Sequence, residues 1–83
     1  MSENDKEQGR IKVFPNPSNG KFTFQGANSQ IEIYNELGSK VYSSLVKSTM
    51  EIDMSSQPIG IYFYRVIDNK GEMLKADKVV IVR

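Results

Sequence analysis

Hydrophobic and polar residues alternate along much of this chain with a period of two. The clearest case is residues 49–54, where Met50, Ile52 and Met54 alternate with two carboxylates. Successive side chains of a strand point to opposite faces, so this pattern predicts a strand with one face in a core and the other in water. Related patterns predict further strands at residues 11–14, 21–25, 30–34, 40–46, 60–67 and 72–83.

Residues 60–67 combine β-branched and aromatic side chains between two groups of turn-forming residues. Tyr62 and Tyr64 are predicted on one face of this strand, and Ile61 and Phe63 on the other. Because both faces are largely apolar, we expect a central strand that is covered on both sides, with the shorter strands around it.

Turn-forming residues separate the predicted strands. Residues 15–20 contain two prolines followed by asparagine and glycine, which predicts a stiff corner that passes the chain between sheets. Residues 35–38 and 68–71 predict hairpin turns closed by a left-handed glycine. The alternation slips within residues 74–82, which a β-bulge or burial on both faces would explain. About seven strands without a convincing amphipathic helix predict an all-β fold, a small antiparallel β-sandwich.

Length and charge narrow the possible functions. The 83 residues predict one domain, residues 11–83, preceded by a polar linker or tail, residues 1–10, which need not all be native. Lys and Arg total 11 against 10 for Asp and Glu, so the concentrated positive charge of a nucleic-acid-binding protein is missing. No apolar run is long enough to span a bilayer, and the N-terminal residues do not form a signal peptide.

The residues that usually carry catalysis are missing. The sequence contains neither histidine nor cysteine, so we expect that the domain has no enzymatic activity and binds neither a metal ion nor a cofactor. Glu51 and Asp53 could form a carboxylate pair, but the solvated face of a strand is the favoured interpretation. Asp68 and Asn69 lack the spaced oxygen ligands of a calcium loop, and a hairpin turn explains them better.

Four short blocks, in a fixed order, carry a resemblance to a known family. They are VFPNPSNGKF (residues 13–22), IEIYNELGSKVY (31–42), PIGIYF (58–63) and KVVI (78–81). Together they resemble the type IX secretion system C-terminal sorting domain (Por secretion system C-terminal sorting domain, type A-like). The resemblance covers residues 11–83 and implies an Ig-like β-sandwich.

The resemblance also implies a function. Such a domain is a sorting signal that directs a folded periplasmic cargo protein of Bacteroidota through the type IX outer-membrane translocon. Removal by a sortase-like peptidase and attachment of the cargo to the cell surface are expected afterwards. The implied partners are the translocon, the sortase-like outer-membrane machinery and an N-terminally attached cargo domain. The implied location is the periplasm, in transit to the outer membrane, the cell surface or the medium.

The candidate recognition residues follow from the matching positions and from the last strand. A terminal strand at a sheet edge has unpaired backbone groups, so a partner could add a strand there, or two copies could form a strand-exchanged homodimer. The matching positions are Pro15, Asn16, Pro17, Asn19, Gly20, Leu37, Gly38, Gly60, Tyr62 and Lys78, and the last strand adds Val79, Val80, Ile81, Val82 and Arg83.

A second hypothesis is an Ig-like or fibronectin-like binding or adhesion module appended to an extracellular enzyme. It predicts a cluster of exposed aromatic side chains on one face or loop end. Phe14, Tyr34 and Tyr42 could form such a platform for a sugar or a peptide. Packing in the core or cover for a sheet edge is the more common use of these residue types.

Overall fold

A computed structural model of the protein describes residues 11–26 and 28–82. Within these ranges seven strands form two antiparallel sheets, which confirms the predicted all-β sandwich. The strands are β1 (Lys12–Phe14), β2 (Lys21–Gln25), β3 (Ser29–Tyr34), β4 (Lys40–Val46), β5 (Thr49–Asp53), β6 (Gly60–Ile67) and β7 (Met73–Ile81). The bounds of β2, β4 and β6 are the predicted ones, and those of the other strands differ from the predicted ones by at most two residues. The predicted linker, residues 1–10, and Arg83 lie outside the described residues.

The core lies between the two sheets. One sheet has the order β1-β2-β5 and the other has the order β4-β3-β6-β7. The inward side chains of both sheets interlock, and each large apolar side chain buried there stabilises the fold by about 1.5–3 kcal/mol. The largest fully buried side chains include Phe22, Phe24, Ile31, Ile33 and Ile52. In the part of the chain that the structure describes, no helix is long and apolar enough to cross a membrane.

The central strand β6 corrects one expectation. It lies between β3 and β7, as an interior strand, and its residues Tyr62 and Tyr64 are buried. Its other face is open, since Ile61 and Phe63 are exposed. The prediction that both faces are covered was therefore wrong. A sandwich of two sheets has only one interior, and no third layer of the described chain covers the outer side of β6.

The corner at residues 15–20 also differs from its prediction. It does not pass the chain from one sheet to the other, because it joins β1 and β2, which pair with each other. On the way it reaches across to the other sheet, where Ser18 forms a parallel bridge with Ile81. The corner therefore connects two strands of one sheet and lies along the edge of the other.

Two hairpin turns have the predicted glycines and a common geometry. In the β3–β4 turn the Oδ1 of Asn35 accepts two backbone N–H bonds, and Gly38 has a φ of +87°. In the β6–β7 turn the Oδ1 of Asp68 accepts two equivalent bonds, and Gly71 has the same φ. The interrupted alternation of the last strand is a bulge, because the register opposite β6 skips Leu74.

Candidate recognition site

The four sequence blocks meet at one end of the sandwich. Antiparallel pairing places the end of β3, the start of β4, the start of β6 and the end of β7 together. Tyr34 pairs with Lys40, and Gly60 pairs with Ile81. Ser18 of the corner bridges to Ile81 in turn. We call this end, formed by residues 15–20, 35–39, 54–61 and 78–82, the motif end.

Asn16 caps the outer edge of β7 with its side chain. Its Nδ2 donates a hydrogen bond to the carbonyl of Lys78, and its Oδ1 accepts one from the N–H of Val80, both at 3.0 Å. The backbone of Ser18 continues the pattern: its N–H donates to the carbonyl of Val80 at 2.9 Å, and its carbonyl accepts from Val82 at 2.8 Å. A primary amide offers the same donor and acceptor as a peptide unit, so this segment replaces an additional strand.

The edge of β7 is consequently closed over residues 78–82. The N–H of Lys78 donates to the Oδ1 of Asp77 at 2.8 Å, which satisfies one more group on this side. The expectation that the last strand offers unpaired backbone groups was wrong here, since Asn16, Ser18 and Asp77 engage the outward groups. A partner strand or an exchanged strand could pair with Val80 only after displacing the corner.

The other residues of the corner shape it. Pro15 and Pro17 flank Asn16 and are exposed, and both of their preceding peptide bonds are cis. The Oδ1 of Asn19 accepts from the N–H two residues ahead at 3.2 Å. Gly20 has a φ of +116°, a left-handed conformation that glycine adopts at little cost. Ser18 was missed as a candidate because it acts through its backbone, which leaves no signature in the side-chain pattern.

The second and third blocks form a groove at the motif end. The β3–β4 turn lies beside the segment that enters β6, and the Oε1 of Glu36 is 3.5 Å from the nitrogen of Ile61. A Cβ added to Gly60, whose φ is +149°, would lie 3.5 Å from the same oxygen. We call this depression the Leu37–Ile59 groove, and its lining comprises Asn35, Glu36, Leu37, Gln57, Pro58, Ile59, Gly60, Ile61 and Tyr62.

Tyr62 fixes one wall of that groove from within the core. Its ring is buried, and its hydroxyl donates a hydrogen bond of 2.6 Å to the carbonyl of Pro58. Val79 and Ile81 are also buried core residues. These three candidates therefore serve mainly in the core, although Tyr62 also contributes to the lining of the groove. Leu37, in contrast, is 91% exposed.

A polar cluster crosses the open face of the four-stranded sheet. Glu32 on β3 accepts hydrogen bonds from Arg65 at 2.6 Å, Lys40 at 3.0 Å and the hydroxyl of Tyr34 at 3.0 Å. The bonds from Arg65 and then Lys40 lower the pKa of Glu32 from 4.5 to about 2, against the effect of its burial. The guanidinium of Arg65 also lies 5.6 Å from the centre of the Tyr34 ring. The cluster ties β3, β4 and β6 together.

The alternative candidate sites do not assemble. Tyr42 packs against the core, whereas the hydroxyl of Tyr34 bonds to Glu32 on the opposite face, and Phe14 lies on β1 in the other sheet. They form no shared aromatic platform. Glu51 and Asp53 lie on the exposed face of β5, as the favoured interpretation predicted.

The acidic side chains also show no metal site. The Oδ1 of Asp53 accepts hydrogen bonds from the hydroxyl and the N–H of Ser55, and these lower the pKa of Asp53. Asp68 closes its hairpin turn, as predicted. Among residues 11–26 and 28–82, no group of three or more acidic side chains could hold a metal ion.

The fold and the arrangement of the motif blocks define an Ig-like β-sandwich of the sorting-signal class. The chain belongs to the secretion system C-terminal sorting domain family, whose model matches residues 12–82. This family consists of sorting signals and is not an enzyme family. Membership supports a secretion-signal role, an association with the type IX secretion system and export to the cell surface.

A solved structure has the same fold. It is a chain of PorZ, described as an essential bacterial surface component of the type-IX secretion system of Porphyromonas gingivalis. The TM-score is 0.72 at 20% sequence identity, over 99% of this chain and 13% of that chain. This chain therefore corresponds to a small part of the PorZ chain. No curated protein sequence matches it.

Proposed function

We propose that this domain is the sorting signal of a cargo protein and that the type IX outer-membrane translocon recognises it after the cargo has folded in the periplasm. The observation that supports this most is the assembly of the four family blocks at the motif end. Residues as distant as Asn16 and Val80 meet there at 3.0 Å. Recognition of a folded surface requires such an assembly, whereas recognition of a linear sequence signal does not.

Three finer steps belong to the same proposal. The cargo is attached N-terminally, through residues 1–10, which act as a linker. A sortase-like peptidase then removes the domain, and the cargo is attached to the cell surface. The domain itself performs no catalysis, which agrees with the lack of histidine and cysteine in the sequence.

A reporter experiment tests the proposal. An exported fluorescent protein carries residues 1–83 at its C-terminus in a bacterium with a type IX system and in a matched translocon-deficient strain. We expect reporter at the surface or in the medium of the first strain and folded reporter in the periplasm of the second. Equal retention of folded reporter in both strains would contradict the proposed function.

A further inference from the structure

Leu37 is an apolar residue that the fold does not require. It occupies the third position of the β3–β4 turn, in which Asn35 and Gly38 supply the hydrogen bonds and the left-handed conformation. The β6–β7 turn has the same geometry, and there Lys70 occupies the equivalent position. The turn therefore accepts a charged residue as readily as leucine. Folding does not explain an apolar side chain that is 91% exposed.

Ile59 is the second apolar residue of this kind. It is 63% exposed and stands on the opposite wall of the Leu37–Ile59 groove. The hydrogen bond between Tyr62 and the carbonyl of Pro58 holds this wall in place. Ile61, which is also exposed, extends the apolar surface onto the open face of β6. Three exposed aliphatic residues thus line one groove, which distinguishes them from apolar residues scattered singly on a surface.

Glu36 adds a negative charge to this patch. Its Oε1 is 3.5 Å from the nitrogen of Ile61, and no Lys or Arg of the described residues forms an ion pair with it. A carboxylate inside an apolar groove favours a ligand that combines an apolar side chain with a positive charge. The same carboxylate opposes contact with an anionic lipid surface, which attracts basic residues.

We propose that the Leu37–Ile59 groove binds an apolar side chain of a protein segment in the secretion machinery, with a neighbouring basic residue of that segment against Glu36. This rests on the proposed function, because the partner belongs to the machinery that the domain addresses. The groove adds the contact surface and the chemistry of the partner. Edge pairing with β7 is not involved, since the corner already occupies that edge.

The chain provides matched controls for the test. Leu45 and Met73 are also exposed apolar residues, at 78% and 59%, and both lie at the opposite end of the sandwich. The reporter assay compares the pair Leu37→Lys with Ile59→Ser against the pair Leu45→Lys with Met73→Ser. We expect export to fall about tenfold or more for the first pair and less than about twofold for the second, as for contact and non-contact residues of an interface.

A charge test uses the same logic. Asn69 occupies in the β6–β7 turn the position that Glu36 occupies in the β3–β4 turn. Glu36→Lys is expected to reduce export at least about fivefold, and Asn69→Lys to leave it unchanged. Thermal unfolding of every purified variant should remain within about 2 °C of the parent, since all of these side chains are exposed.

The outcomes separate the two proposals. If the unmodified reporter is not exported, the proposed function fails. If it is exported and the Leu37/Ile59 pair is exported equally well, the groove proposal alone fails. It also fails if the domain co-sediments with vesicles of phosphatidylethanolamine and phosphatidylglycerol and Leu37→Ser abolishes that binding, since the ligand would then be lipid. If the Leu37/Ile59 pair loses export but also unfolds at a lower temperature than the parent, the single variant Leu37→Lys decides. The β6–β7 turn, with Lys70 at the equivalent position, shows that lysine is compatible with this type of turn.

Discussion

The Oδ1 of Asn16 lies 3.0 Å from the backbone nitrogen of Val80, 64 residues away in the sequence. Through its Nδ2 the same side chain also binds the carbonyl of Lys78. One amide therefore closes two neighbouring backbone groups of an edge strand, as a paired strand would. Exposed edges promote association between sheets, so this contact protects the domain as well as stabilising it.

Asn16→Ala should destabilise the domain and expose the β7 edge. Loss of two hydrogen bonds is expected to cost about 1–3 kcal/mol in the free energy of unfolding, measured in urea. Sedimentation velocity should also show concentration-dependent dimers. Asn19→Ala, whose side chain bonds only locally, is the control and should remain monomeric. Unchanged stability and a monomeric Asn16→Ala variant would show that the cap is dispensable.

Glu32 predicts a loss of stability in acid. Its pKa is lowered from 4.5 to about 2, so the folded state gains stability above pH 4.5 and loses it as the pH falls toward 2. At pH 7 we expect Glu32→Gln to cost about 1–2 kcal/mol, a value reduced because Arg65 and Lys40 are half exposed. The difference between parent and variant should shrink through that pH window in urea titrations. A constant difference from pH 7 to pH 2 would contradict this assignment.

Gly38 and Gly71 allow folding and recognition to be separated. Both have a φ of +87°, and a Cβ added at either meets no atom within 4 Å. Alanine should therefore cost about 1 kcal/mol at each position, through backbone strain alone. If the motif end is the recognised surface, Gly38→Ala should reduce reporter export more than Gly71→Ala at equal stability. Equal export by the two variants would indicate that this glycine acts only in folding.

Tyr64 predicts a second pH dependence, in alkali. Burial, with a further effect of Asp77, raises the pKa of Tyr64 from 10.0 to about 12. The folded state therefore loses stability as the pH rises from 10 toward 12, because the unfolded chain releases this proton more readily. Ultraviolet titration of the folded domain should show one tyrosinate signal near pH 12, which Tyr64→Phe removes. A Tyr64→Phe variant that retains this signal would refute the assignment.

Local patterns predicted most of the strands because their evidence lies within a few residues. For example, the alternation of Met50, Ile52 and Met54 predicted β5, and the two turn glycines predicted the β3–β4 and β6–β7 hairpins. The open face of β6 could not be predicted in the same way. Ile61 and Phe63 are as apolar as core residues, and only the number of layers in the fold shows that they face outward.

The candidate site was predicted in its residues and not in its contacts. Asn16 and Lys78 were identified by family resemblance, but their partnership depends on a contact between segments 62 residues apart. Ser18 was missed because it binds the edge of β7 through its peptide groups. The distinction between Leu37, as a surface residue, and Tyr62, as a core residue, required the exposure of each side chain in the folded structure.

The hydrogen bond between Asn16 and Val80 also makes folding of the motif end depend on the presence of the last residues of β7. During synthesis Asn16 emerges long before Lys78 and Val80, and its amide has no partner until they arrive. A polypeptide that stops short of Lys78 would leave both the corner and the end of the sandwich unfinished. If the motif end is the recognised surface, as proposed, only a product translated at least to Val82 presents it, and premature termination or C-terminal proteolysis removes the signal.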